Sequence, residues 1–145
     1  MATLQARIDE AALAGASVVL LLVDQGSLEA DLALGASLSG VDVLLSATPA
    51  LLASENDLLV PGDTMAGPYP TLGTDAAGAP LALVATADRY RYLGRFQAEL
   101  DSFGVFTQAL APSGPQRILG APAEDGVESD NTLQTTVLDL LASDL

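Results

Sequence analysis

The stretch SVVLLLVDQG, Ser17 to Gly26, decides the fold class. From Val18 to Val23 it is apolar without alternation and rich in β-branched residues. That pattern reads as a strand buried on both faces, with Asp24, Gln25 and Gly26 forming the turn that follows. A helix precedes it. Thr3 to Leu13 consists largely of helix formers, with Leu4, Ile8, Ala11 and Ala12 at helical spacing, Thr3 placed to cap the start and Gly15 to close the end. After the turn, Ser27 caps a helix from Leu28 to Leu34, ended by Gly35. The same residues also alternate as a strand would, and the serine cap and early acids favour helix.

Working outward, Val41 to Leu45 is a second strand. Thr48 and Pro49 then form a cap and first helical position for a helix running to about Leu58. Val60 to Pro80 is rich in proline and glycine and reads as a long loop, of a length that often carries function. Leu81 to Ala85 is a strand. Asp88 to Phe103 reads as a helix, because Leu93, Phe96, Leu100 and Phe103 fall on one stripe and Gly104 sits at the C′ position. Val105 to Ala111 and Gln116 to Leu119 read as a hairpin around the turn Pro112 to Pro115. An acidic loop and a helix from Thr132 to Leu141, where strand is also tolerated, complete the chain. The expected architecture is α/β or α+β: a small mixed sheet covered by about four to five helices, in one acidic domain spanning 1–145.

Composition excludes much chemistry. The chain has 145 residues, with 19 acids against five basic residues, a net charge of −14, and no cysteine or histidine. All five basic residues are arginines: Arg7, Arg89, Arg91, Arg95 and Arg117. Ser-His-Asp and Cys-His mechanisms, Schiff bases, thiolate or histidine zinc sites and a P-loop lysine are therefore unavailable. The GTDAAG run from Gly73 to Gly78 has P-loop glycine spacing, but Ala79 and Pro80 stand where Lys and Ser/Thr are required. No cofactor is expected. Such an acidic surface repels nucleic acid phosphates and anionic membranes. It serves solubility, adaptation to high salt, docking on a basic partner or mimicry of nucleic acid. The apolar run Ala11 to Val23 is too short to cross a membrane, which takes ~20 residues. Asp9 and Glu10 spoil it as a signal peptide. The expected location is cytoplasmic or virion-associated.

Three groups of residues could carry function. Asp57, Asp63 and Asp75, in or beside the long loop, could divide acid and base roles if their environments differ. They also fit turns, and Asp63-Thr64 is followed by Met65 rather than by the glycine of aspartic proteases. Glu124, Asp125, Glu128, Asp130 and Asn131 offer hard oxygen ligands, yet their spacing departs from an EF-hand loop, so no metal is expected there. Arg89, Tyr90, Arg91, Tyr92 and Arg95 form the one positive spot on the expected 88–103 helix. Arginine and tyrosine dominate interface hot spots, so this face is expected to dock an acidic partner or a second copy. The alternative is local pairing of Asp88 with Arg91 or Tyr92, and of Arg95 with Glu99.

The segment Pro70 to Leu119 resembles the SseB-type N-terminal module of bacterial secretion-associated and regulatory proteins. The likeness rests on the acidic-glycine turn Asp75 to Gly78, the strand in LALVATADRY, and VFTQALAPSGPQRIL running into its turn. It implies a non-enzymatic protein and carries no functional residue across. The reading of the whole is a non-catalytic structural or interaction protein, self-associating within an assembly such as a virion or secretion-associated complex. The rivals are a carboxylate-dependent hydrolase using acids near the 60–80 loop, and an acidic decoy for a basic partner.

Overall fold

The fold is described from a computed structural model, over residues 2–102, 104–120, 126, 128, 130–132 and 135. Its centre is a four-stranded sheet built on β1 (Leu20–Val23), β2 (Val43–Ser46), β3 (Thr71–Thr74) and β4 (Pro80–Val84), in the order β1-β2-β4-β3. The β1-β2-β4 portion is parallel, and β3 lies antiparallel on β4. Parallel neighbours need a crossover. Helix α2 (Leu28–Ala36) supplies it between β1 and β2, starting where the Ser27 side chain accepts from Ala30 N. Helix α1 (Ala2–Leu13) precedes β1 and buries Ile8.

The two faces of the sheet differ. On the α2 side, a Cβ added to Gly35 would lie 2.6 Å from Leu44 and 2.7 Å from Leu81. The missing side chain is therefore what lets the helix sit directly on the sheet. Leu44, Leu81 and Leu83 are essentially sealed there, each worth about 1.5–3 kcal/mol in buried apolar surface. By alternation and register, Leu20, Leu22, Leu45 and Leu72 point to the opposite face and are exposed, while Val43, Ala82 and Val84 on that face are buried. The strand expected to be buried on both faces is thus an edge strand covered on one.

The second half of the fold departs from expectation. Asp88 to Phe103 is not a helix. It holds β5 (Tyr92–Arg95) and β6 (Ala98–Leu100), and Val105 onward holds β7 (Phe106–Ala109) and β8 (Gly114–Arg117). The expected hairpin between the last two does not form. Instead β6 pairs β7 and β5 pairs β8, both antiparallel. Together they make one long interrupted ribbon folded back on itself. Phe96 meets Phe106 across it, ring centroids 6.0 Å apart. The helical stripe is an accident of spacing: Leu93 is exposed, whereas Tyr92 is buried. Gly94 is needed for this packing, since a Cβ there would lie 2.9 Å from Thr86 Cγ2.

The described residues thus hold two helices and eight strands in three small sheets, not a sheet under four to five helices. Residues 49–58 are also not helical. The Thr48 hydroxyl, expected to cap that helix, donates instead to Asp31 Oδ2 at 3.1 Å. Most of the acidic 120–131 loop and of the Thr132 to Leu141 helix lies outside the described residues. No helix among them is long and apolar enough to cross a membrane.

Candidate functional site

Strands β1, β2 and β4 run in the same direction, so their carboxyl ends gather at one edge of the sheet. Open α/β sheets bind ligands at that edge. Ser46 closes β2 there, and Thr86, Ala87 and Asp88 follow β4. The next two residues, Arg89 and Tyr90, hold φ of 63° and 54°. Two successive non-glycine residues in the left-handed region cost of order 1 kcal/mol each and cluster at functional sites.

Two hollows open at this edge. One, about 250 Å³, is walled by Asp63, Thr64, Asp88 and Arg91 among others. The other, about 300 Å³, is walled by Ser46, Thr86, Arg89, Tyr90 and Tyr92. Pro49, Ala87 and Asp88 belong to both, so they form one groove.

Its charge arrangement centres on Arg91. Nη1 donates to Asp63 Oδ1 at 2.5 Å, and Nη2 lies 3.6 Å from Asp88 Oδ1. Nε is buried and makes no hydrogen bond. The Tyr92 hydroxyl donates to Asp63 Oδ2 at 2.8 Å and accepts from Val60 N at 2.7 Å. That Tyr92 bond, aided by Arg91 and opposed by desolvation, holds the Asp63 carboxyl below its ordinary range. Burial raises the Tyr92 phenol, with the neighbouring Asp63 acting in the same direction. Beneath the groove lies a fully buried acid. Asp31 accepts from Gln25 N at 2.7 Å, from the Ser46 hydroxyl at 2.5 Å and from that of Thr48.

The three acids expected to act together go to three places. Asp63 lines the groove. Asp75 is buried and spent on backbone, accepting from Gly40, Ala77 and Ala79 N, which ties the β3–β4 turn to the chain entering β2. Asp57 accepts from Ser54 N and lines a separate cleft of about 370 Å³ with Arg95 and Arg117. The expected docking face divides similarly. Arg89, Tyr90, Arg91 and Tyr92 wall the groove and Arg95 the other cleft, so no helical face joins Arg91 to Arg95. The local pairing of Asp88 with Arg91 is present. Sequence reasoning does not single out Asp31, Ser46 and Asp88 as a site. The one signal for Ser46 and Asp88 is their position at or after the end of an apolar strand, whereas Asp31 lies within α2 and carries none. Among the described residues, no group of three or more acids is placed to hold a metal ion.

No family model matches the sequence, and no curated protein matches it. Solved structures do match the fold. The chain is similar to the 5'-nucleotidase precursor of Thermus thermophilus, with a TM-score of 0.66 and 22% identity over 78% of this chain and 21% of that one. It is similar also to the NAD nucleotidase of Haemophilus influenzae, with a TM-score of 0.65 and 17% identity over 98% of this chain and 26% of that one. The non-catalytic, self-associating virion or assembly subunit expected from composition is corrected to this extent: the solved structures that share the fold are nucleotidases, not structural subunits. The chain has the fold of a segment of these nucleotidases and spans about a quarter of their length.

Proposed function

We propose that this chain is a hydrolase domain acting on a phosphate ester, with its reaction centre in the Asp63–Asp88–Arg91 groove. The observation that carries this reading is the convergence of two carboxylates on one guanidinium at the carboxyl ends of parallel strands. The shared fold with two nucleotidases supports it from a separate direction. Arg91 has donor capacity left on Nη2, and a planar guanidinium suits phosphoryl oxygens. Asp63 and Tyr92 fix its orientation. Asp88, half exposed beside it, is the base for an attacking water. Arg89 brings a second guanidinium to the groove beside Arg91, with its Nε 3.5 Å from Asp88 Oδ2.

The test is phosphate release from p-nitrophenyl phosphate and from AMP by the purified protein. Hydrolysis by the wild type, slowed roughly 10²-fold or more in Arg91→Ala, is the expected result. No release above background, or full activity in Arg91→Ala, overturns the reading.

A further inference from the structure

Ser46 has the setting of a nucleophile. It is the last residue of β2, which lies between β1 and β4. Its hydroxyl donates to Asp31 Oδ2 at 2.5 Å and accepts from Thr48 N at 3.1 Å. Asp31 is 0% exposed and cannot turn, because Gln25 N holds its Oδ1 and Thr48 Oγ1 its Oδ2. A nucleophile bonded to a base that is itself oriented by further groups is the general pattern of activated hydroxyls. Of the three groups that satisfy Asp31, only Ser46 also lines the groove, facing the same hollow as Asp88, Arg89 and Tyr92. A purely structural acceptor role for Asp31 does not require that its closest donor side chain border the hollow.

We propose that Ser46 attacks the phosphorus and carries the phosphoryl group as a covalent ester, with Asp31 taking its proton. This rests on the hydrolase reading above. In the first step the Ser46 Oγ–P bond forms and the bond from phosphorus to the leaving oxygen breaks. The Ser46 proton passes to Asp31 Oδ2, and the leaving alkoxide takes a proton from solvent. In the second step water attacks the phosphorus and gives its proton to solvent through Asp88. The P–Oγ bond breaks, and Oγ recovers its proton from Asp31. The sum is ester plus water giving alcohol plus phosphate.

The experiment is an acid quench of the wild-type protein turning over p-nitrophenyl phosphate, followed by peptide mapping. A phosphoryl adduct on Ser46, a burst of p-nitrophenol stoichiometric with protein, and a loss of roughly 10²–10⁴-fold in turnover in Ser46→Ala are expected. The adduct and burst are read on the wild type, so they stand even if the variant fails to fold. Wild-type hydrolysis with no adduct on Ser46, or with Ser46→Ala turning over normally, removes the covalent route and leaves the hydrolase reading intact. Absence of any wild-type hydrolysis removes both.

Discussion

Arg91 Nη1 lies 2.5 Å from Asp63 Oδ1, although 28 positions separate the two residues. The pair joins the long loop after β2 to the strand end after β4. Linked to Tyr92 and Asp88, it turns two ordinary surface residues into one wall of a groove.

Acid should weaken this wall in a defined direction. The fold holds Asp63 ionised below its ordinary range, through the Tyr92 hydroxyl and Arg91. The unfolded chain takes up that proton first, near pH 4. The stabilisation is therefore present above about pH 4 and is lost as the pH falls through the lowered folded value. Thermal midpoints of wild type and Asp63→Asn, followed from about pH 6 downward, should converge on acidification. A gap that stays constant at every pH contradicts the arrangement.

Tyr69 makes the opposite prediction at the alkaline end. It is 6% exposed, and burial pushes its phenol up to about 12. An unfolded tyrosine ionises near 10. Stability linked to Tyr69 is thus complete below about pH 10 and falls as the pH rises toward 12. Ultraviolet titration of the three tyrosines should show a late phase near 12 that loses one tyrosine's amplitude in Tyr69→Phe, with the raised Tyr92 remaining. A late phase unaffected by that substitution assigns it elsewhere and sinks the prediction.

How much of this is legible in the sequence depends on range. Helix α2 is readable because its cap is local: Ser27 bonds Ala30 three residues on. The β1, β2 and β4 strands are readable because short apolar runs fit a sheet core whatever their partners. The 88–103 segment misleads because its pairing is non-local. Tyr92 faces Arg117 and Ala98 faces Ala109, so the strands are fixed by residues beyond any helical window. Gly94, which costs a helix interior about 1 kcal/mol, is the signal against helix. Thr48 misleads because its hydroxyl serves Asp31, a residue 17 positions earlier. The candidate site is hidden for the same reason. Asp63 can be singled out in the sequence, but its partners Arg91 and Tyr92 come from another segment.

The asymmetry of the sheet gives a stability contrast. Gly35→Ala should lower stability by about 1–3 kcal/mol, because overpacking against sealed Leu44 and Leu81 outweighs the gain in helix propensity. Leu22→Ala, at an exposed position of the edge strand β1, should change stability by no more than about 0.5 kcal/mol. Urea unfolding of both variants reads this directly. Equal losses would mean that the Leu22 face is covered in solution.

The most direct test of the central claim is the kcat/KM for p-nitrophenyl phosphate of the wild type beside Arg91→Ala, with both shown to be folded. The groove account predicts measurable wild-type hydrolysis and a fall of roughly 10²-fold or more when the guanidinium is removed. Equal values in the two proteins, or no hydrolysis by the wild type, would contradict it.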